Sequence, residues 1–323
     1  MYNNSIFRIN YILGGADKVG NIKFYTFRYF LIPSLQITFE QMTIKDKKQL
    51  IKDIFNKLNK ESKIEREINN RKYILYLRKK LSDDIYICKF GREVIRNMYD
   101  IGIEDIEEKK ESDYPYIYFI VDTSKQIFFI EEKTSVFREL NYAKDKIRKF
   151  FEHDLRKKDF NMMIDEITES KSFWQYINNA DKIFELKLNM KSPNAFQGIL
   201  NANELLKKMR GFFNNTEMDM NLKNEDGKLN INEENSKDYI DYITHGGGKW
   251  EVVISNNKHK ENIKSTDKKY IKNISIPENF EEILKSSSEE NKYEKKEIQS
   301  KIIDFKDILG DRKNEENKDK HKE

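Results

Sequence analysis

The sequence predicts an α+β fold with two domains, each a mostly antiparallel sheet with helices packed on it, and a disordered C-terminal tail. Short strand patterns separated by turn residues recur along the chain, helical patterns lie between them, and apolar residues become scarce near the end. The chain has 323 residues, of which 37% are hydrophobic and 12% aromatic, so it can build two cores of ordinary size. We place the domains at residues 1–137 and 159–285, a basic connecting helix at 138–158, and the tail at 286–323.

The first domain is predicted to contain strands on either side of one helix. Its strand patterns before the central hairpin cover residues 5–13, 21–32, 72–77 and 85–90. Residues 43–59 carry an apolar stripe at helical spacing, and Thr43 is a suitable N-cap. We also predict a short helix over residues 92–99 and a charged loop over residues 104–112.

Residues 114–133 form the densest apolar stretch of the chain. Two runs of β-branched and aromatic residues flank the polar turn at residues 122–125, which predicts a β-hairpin. Neither run alternates between apolar and polar residues. We therefore expect both strands to be buried on two faces, in the middle of a sheet.

The end of this hairpin resembles the D…ExK pattern of restriction-type nucleases, because Glu131, Glu132 and Lys133 follow Asp122. That chemistry needs two carboxylates close enough to share a metal ion. The expected register pairs Asp122 with Ile127, so four residues of strand, about 13 Å, would separate Asp122 from Glu131. The simpler interpretation is the solvated end of a strand, although acids from elsewhere in the fold could complete a nuclease site.

Residues 138–158 form the most basic segment, with eight Lys or Arg residues against four acids. An apolar stripe predicts a helix, and a positive outer face could follow a phosphate backbone. The expected contacts are Lys144, Arg148, Lys149, Arg156, Lys157 and Lys158. An ordinary solvated helix face, a hinge or a dimer contact are the alternatives for a chain so rich in lysine.

The second domain is predicted to alternate strands and helices around one antiparallel sheet. Its strand patterns cover residues 160–167, 182–190, 216–222, 250–254 and 270–276, and its helical patterns cover 173–178, 201–213 and 237–244. Strict alternation predicts that the strand at 182–190 has an inward face of Phe184, Leu186, Leu188 and Met190 and a wet face of Ile183, Glu185, Lys187 and Asn189. The helix at 201–213 is expected to bury Leu205, Leu206, Met209 and Phe212.

Two further segments are predicted to be irregular. A polar loop over residues 258–269 joins the last two strands of the second sheet, and we expect Lys258 and Lys260 to contact phosphates from it. In the tail, a brief helix is the expected use of Ile298, Ile302, Ile303 and Phe305.

Composition excludes several classes of site. The net charge of +4 is too small for attraction of nucleic acid by the whole protein, so any such surface must come from local segregation of charge. Cys88 is the only cysteine, which excludes an internal disulfide and a cysteine-based zinc site and favours a reducing, cytoplasmic location. The four histidines are not arranged as ligand pairs or beside a nucleophile. We therefore expect no catalytic residues, no metal and no cofactor, and no membrane association.

The order of these elements resembles the RexA-like phage-exclusion and antiphage defence family. The shared features are a strand pair, the hairpin at 73–90, the Tyr114-Pro115 hairpin, and the strand–helix–strand–helix succession from 183, so the resemblance spans roughly residues 1–254. It implies a two-domain, dimeric protein that binds DNA with little sequence preference and acts in phage exclusion with a partner. Because it rests on element order, it transfers no binding residue. The segment at 258–269 and the long tail are departures from the family.

Three functions follow as hypotheses. The first is a non-enzymatic protein of an antiphage or phage-exclusion system that binds nucleic acid, DNA before RNA, without sequence preference, as a homodimer or with a protein from the same system. The second is a protein-interaction module or inhibitor that acts on a nucleic-acid machine such as a CRISPR or defence complex. The third is a metal-dependent nuclease that uses Glu131, Glu132 and Lys133.

Overall fold

The computed structural model describes residues 20–34, 44–101, 105–191, 200–286 and 292–303. It confirms the α+β class, because helices pack on antiparallel sheets. The predicted strand at 5–13 and the N-cap Thr43 lie outside the described residues.

The strands and helices are numbered in chain order. The strands are β1 (Asn21–Pro33), β2 (Lys63–Glu67), β3 (Lys72–Lys80), β4 (Ile85–Arg92), β5 (Val94–Ile101), β6 (Ile106–Asp113), β7 (Tyr116–Asp122), β8 (Ile127–Glu131), β9 (Phe160–Glu166), β10 (Lys182–Lys191), β11 (Glu217–Lys223), β12 (Gly248–Asn256), β13 (His259–Lys264) and β14 (Asn273–Pro277). The helices are α1 (Ile44–Glu61), α2 (Leu140–Leu155), α3 (Ser170–Asn179), α4 (Leu200–Phe213), α5 (Glu233–Tyr242), α6 (Phe280–Lys285) and α7 (Lys292–Ile303).

The larger sheet has the strand order β14-β1-β8-β7-β4-β3-β2, and β9 also pairs with β1. The hairpin β7–β8 lies in the middle of this order, and every residue of β8 is buried. The register pairs Asp122 with Ile127, as the sequence predicts. Both faces are covered because Phe128 and Ile130 pack in a core with residues of α1 and α2, while Ile127 and Phe129 pack in a core with residues of α6 and α7.

The smaller sheet has the strand order β11-β10-β12-β13. Its inner face packs on α3, α4 and α5 around Trp250, Leu186 and Leu206. The helix α5 begins with a capping box in which Asn232 and Asn235 bond each other's backbone, and it runs into a π-turn at Ile243–Gly247. Gly246, with φ of 88°, ends the helical path there, in a left-handed conformation that glycine commonly adopts at helix C-termini.

Two strands predicted for the second sheet belong to the larger one. β9 and β14 both pair antiparallel with β1, through Phe27–Glu166 and Phe24–Ile274 respectively. The division of the chain into two domains stays a prediction.

Three local expectations were wrong. The segment at 92–99 is the strand β5 and not a helix, and the expected loop at 104–112 contributes its partner strand β6. The expected loop at 258–269 contains β13, which pairs with β12 and buries Ile263. The brief helix expected in the tail is confirmed over Lys292–Ile303, where Ile298 and Ile302 are buried against the larger sheet. The three mispredicted segments are rich in charge and bury few side chains, so their hairpin pairing leaves little apolar periodicity in the sequence.

Helix α4 also differs from its predicted packing. Leu206 is fully buried, whereas Phe212 is 82% exposed at the end of the helix. Phe128 is in the opposite environment, because it is completely buried and stacks on Tyr29 with ring centroids 4.4 Å apart.

We expect Phe128→Ala to lower the free energy of unfolding by about 3–5 kcal/mol, because it removes a large side chain from a packed core and leaves a cavity. Phe212→Ala is the matched control, and as a surface change it should alter that free energy by about 0.5 kcal/mol or less. Chemical denaturation followed by circular dichroism measures both. Equal effects of the two substitutions would contradict the packing described above.

Candidate nucleic-acid interface

The outer face of the smaller sheet carries most of its lysines. Alternate residues of β12 face outward, and their cross-strand partners on β10 and β13 share that face, since paired residues of antiparallel strands project to the same side. We define the lysine face as Lys182, Lys187, Lys249, Lys258, Lys260 and Lys264, with asparagines 189, 221 and 262 between them.

Two carboxylates at the centre of this face hold some of the lysines. Lys187 Nζ lies 3.5 Å from Glu251 and 3.4 Å from Glu185, and Lys264 Nζ lies 3.5 Å from Glu251. Burial favours the protonated Glu251, but a hydrogen bond from Asn262 and the charges of Lys187 and Lys264 outweigh it and lower the pKa of this carboxyl. The centre of the face is therefore close to neutral at pH 7.

The hairpin end of the face is more strongly positive. Lys182 and Lys260 both pair with Ser255, from β10 and β13, so the two lysines flank one position of β12. Lys258 lies in the tight turn between β12 and β13, where Asn257 and Lys258 have φ of 49° and 67°. Among the described residues, no carboxylate lies within ion-pair distance of Lys182, Lys258 or Lys260.

An aromatic ring lies among these lysines. A register shift between Ile183 and Glu185 marks a bulge in β10, and Ile183, not Phe184, joins the core of the smaller sheet. The expected inward orientation of Phe184 was therefore wrong. Its ring is half-buried and lies 4.4 Å from the Lys260 ammonium, which is a cation–π contact on the lysine face.

The cations of the predicted basic helix are neutralised by carboxylates within the helix and on the neighbouring strand β9. Lys144 pairs with the buried Glu166, and the buried Glu152 accepts hydrogen bonds from Arg148 at 2.6 Å and Arg156 at 3.0 Å. Moving these cations to a phosphate would leave a buried carboxylate without its counter-charge, which typically costs several kcal/mol. Lys144, Arg148 and Arg156 therefore stabilise the packing of α2.

The other three predicted cations of this segment form surface pairs. Lys149 lies 2.9 Å from Asp145, Lys157 lies 3.9 Å from Asp154, and Lys158 lies 3.3 Å from Asp53. Exposed pairs of this kind contribute about 0–1 kcal/mol, so these lysines can exchange partners at little cost. The structure thus separates the predicted contacts into buried structural pairs, weak surface pairs, and two lysines, Lys258 and Lys260, that have no carboxylate partner among the described residues.

The residues of the nuclease hypothesis are dispersed. Glu131 is buried and accepts a hydrogen bond from the Tyr118 backbone, and burial raises the pKa of its carboxyl. Glu132 pairs with Lys268, and Lys133 lies over the Tyr116 ring at 5.0 Å. Within the described ranges, no group of three or more His, Cys, Asp or Glu residues is placed to hold a metal ion.

A buried acid lies at the base of the lysine face. Asp165 on β9 is almost inaccessible, and its nearest cation, Lys249, lies 3.8 Å away. Burial raises the pKa of the Asp165 carboxyl, and the charges of Lys191 and Lys249 only partly offset this effect. Lys249 is thus held toward the body of the protein, at the opposite end of the face from Lys260.

The sequence signalled part of this site. Lys258 and Lys260 were named, and Lys187 and Asn189 were assigned to the wet face of their strand. Lys182, Lys249 and Phe184 were missed as contacts, because only the strand pairing brings them together. The available signal was that Lys258, Lys260 and Lys264 are separated by even numbers of residues, which places them on one face of a strand.

No family model matches the chain, and no curated protein matches it. The structural description also contains no helix long and apolar enough to cross a membrane.

We expect Asp165→Asn to raise the free energy of unfolding at pH 7. The raised pKa means that the folded protein holds a proton that the unfolded chain releases near pH 3.9, so the wild type loses stability as pH rises from that value through the folded pKa. The gain from the substitution should therefore shrink as pH falls toward 4. Urea denaturation between pH 4 and 8 measures it.

The exposed Asp226→Asn is the control, and as a surface change it should alter the free energy of unfolding by about 0.5 kcal/mol or less. A gain for Asp165→Asn that stays constant across this pH range would contradict the assigned burial of the carboxylate.

Proposed function

We propose that this protein binds nucleic acid without sequence preference through its lysine face and performs no catalysis on it. The observation that carries the proposal is the hairpin end of the smaller sheet, where three lysines without carboxylate partners in the described chain lie near one half-buried aromatic ring, that of Phe184, which contacts the Lys260 ammonium. Lysine ammonium groups bind phosphates as mobile point charges, and an aromatic face stacks on any base. Both interactions are independent of sequence.

The proposed contacts differ in the free energy that is needed to release each cation from its internal ion pair. Lys182, Lys258 and Lys260 can bind phosphates without breaking an ion pair within the described chain. Lys187 and Lys264 can bind a phosphate at the surface while they keep part of their interaction with Glu251. Lys144, Arg148 and Arg156 are excluded from the proposed surface, since Glu152 and Glu166 depend on them. The exposed Lys149, Lys157 and Lys158 form a second, weaker candidate surface.

Single strands fit this surface better than duplex DNA does. The Phe184 ring is available for stacking only with an unpaired base, and the flat face of a sheet accepts splayed bases more readily than it enters a groove. DNA remains the expected nucleic acid. A role in phage exclusion or antiphage defence, with a protein from the same system as partner, is part of the proposal, and the order of the elements supports it.

The triple variant Lys182→Gln, Lys258→Gln and Lys260→Gln tests the face. Loss of up to three phosphate contacts should lower affinity for a single-stranded oligonucleotide and make the plot of log affinity against log salt shallower by about 2, at about 0.7 per contact. Fluorescence anisotropy over a salt series measures both quantities. The matched control replaces Lys60, Lys110 and Lys207, which are equally exposed and lie on other elements.

Two further variants sharpen this experiment. Phe184→Ala should weaken single-strand binding by about fivefold or more, with little effect on duplex DNA, since stacking contributes about 1–3 kcal/mol per base. The triple variant Lys149→Gln, Lys157→Gln and Lys158→Gln should keep most of the affinity. If that helix variant loses binding while the sheet variant does not, the interface lies on α2. Degradation of the oligonucleotide in magnesium would reject the non-enzymatic proposal.

A further inference from the structure

The two-stranded ribbon formed by β5 and β6 buries almost none of its side chains, although each strand is eight residues long. Its two strands pair over eight residues each, from Val94–Asp113 to Ile101–Ile106, and in the described part of the chain they pair with no other strand. Nearly all of its residues are exposed. An isolated two-stranded ribbon is marginally stable in water, and three or more strands are normally required.

The two faces of the ribbon differ in chemistry. One face carries four large apolar side chains that are 65–98% exposed: Ile95, Tyr99, Ile101 and Ile106. The other face is charged and internally paired, with Arg96 2.7 Å from Asp113 and Lys109 2.9 Å from Asp100. An apolar row of this size on a protruding ribbon indicates a surface that is covered in the functional protein.

We propose that the outer edge of β5 pairs with β5 of a second copy of this chain, antiparallel about a two-fold axis at Met98. This register places Ile95 opposite Ile101 of the partner subunit and Arg96 opposite the partner's Asp100. Asn97 lies opposite the partner's Tyr99, and Met98 meets its own symmetry mate. The two ribbons become one four-stranded sheet with the order β6-β5-β5-β6, and their apolar rows join on one face.

Charge complementarity selects this register. The apolar faces of the two ribbons lie on the same side of the joined sheet only in every second register, in which the two-fold axis passes through a residue. Moving the axis to Asn97 places Arg96 opposite the partner's Met98, and moving it to Tyr99 places Met98 opposite the partner's Asp100. Only the axis at Met98 brings Arg96 and Asp100 together, and opposite charges directly across a strand pair are stabilising.

The other edge of the ribbon is unsuitable for the same contact. An axis at Lys110 of β6 would place Lys110 on its own mate and Glu107 opposite the partner's Asp113. An axis at Lys109 would place that lysine on its own mate and Glu107 opposite the partner's Glu111. In both registers these like charges outnumber the opposite charges that also meet, which are Lys109 with Glu111 in the first and Glu108 with Lys110 in the second. Residues 107–111 are all charged, so an axis at any of them places a charge on its own mate, whereas the uncharged Met98 occupies the axis of the β5 pairing.

The first test is Met98→Glu. Within one chain, residue 98 lies opposite Lys109, so a glutamate there fits the ribbon. Across the two-fold axis it would face a second glutamate, and we expect the dimer dissociation constant to rise tenfold or more. Sedimentation equilibrium without nucleic acid measures this change, and Met98→Leu, which keeps an apolar residue on the axis, should retain the wild-type constant.

The second test is a cross-link. Cys88 is the only cysteine and is buried, so the background is low. Residues directly opposite on antiparallel strands have Cα atoms about 4.5–5.5 Å apart, within the range for a disulfide. Met98→Cys should therefore form a disulfide-linked dimer under mild oxidation, whereas Lys110→Cys on the other edge should not.

The outcomes are distinct. A monomer at all concentrations overturns the proposal, as does a dimer that Met98→Glu leaves intact or that Lys110→Cys cross-links in preference to Met98→Cys. Slow hydrogen exchange of β5 in a strictly monomeric protein would show that a segment of the same chain covers the edge, and would also overturn it. None of these outcomes bears on the lysine face, which lies on another sheet.

Discussion

The strand β1 lies near the start of the described chain and pairs with three strands from its middle and its later part. One edge of its 13 residues pairs with β8, and the other edge pairs with β14 along its first part and with β9 along its second. Thr26, completely buried, lies where those two partners meet. Its N–H and its hydroxyl both donate to the Lys272 carbonyl at 2.9 Å, and its carbonyl accepts from the Ile167 N–H at 3.1 Å. The backbone groups at this junction are therefore satisfied although two strands end there.

This junction fixes the position of the smaller sheet. β9 continues into α3, and the chain then forms all four strands of the smaller sheet before it returns to β1 as β14. A direct bond from the Lys272 N–H to the Ile167 carbonyl, at 2.8 Å, closes that excursion at its base. The lysine face is consequently carried on a segment whose two ends are held together by the core strand of the larger sheet, so its strands are placed by long-range pairing and not by local propensity.

Local patterns were sufficient where one strand pair determines the structure. The hairpin β7–β8, its register and its two-sided burial follow from dense apolar runs around a polar turn. The same reasoning failed at residues 92–113 and 258–264, because these strands carry few buried side chains and periodicity has little to detect there. It also failed at Phe184, where one extra residue in β10 changes the side that the ring faces. The pairing of β9 and β14 with β1 was beyond prediction, since it joins segments separated by more than 100 residues.

The count of cations in a segment was a poor guide to the candidate site for a related physical reason. The segment at 138–158 has twice as many basic as acidic residues, yet the buried Glu152 within it and the buried Glu166 on β9 hold three of its cations. In a protein with 60 basic and 56 acidic residues, most cations have an acid within reach, and the tertiary structure decides which of them remain available. The hairpin end of the lysine face is available because β13 is an edge strand with a single buried apolar residue, Ile263, and no carboxylate of the described residues lies within ion-pair distance of Lys258 or Lys260.

The lysine face and the β5 edge would act together on a long nucleic acid. Each copy of the chain carries one lysine face, so a dimer presents two, and after the first has bound a strand the second binds at a raised effective concentration. Avidity then allows weak contacts, such as those of Lys187 and Lys264, which share their charge with Glu251, to give useful affinity without any base-specific interaction. By the same linkage, a strand that spans both copies stabilises the pairing of the two ribbons, because a ligand that binds the dimer more tightly than the monomer shifts the equilibrium toward it. A small edge-to-edge contact is sufficient in such an arrangement, since the nucleic acid supplies the remaining free energy of association.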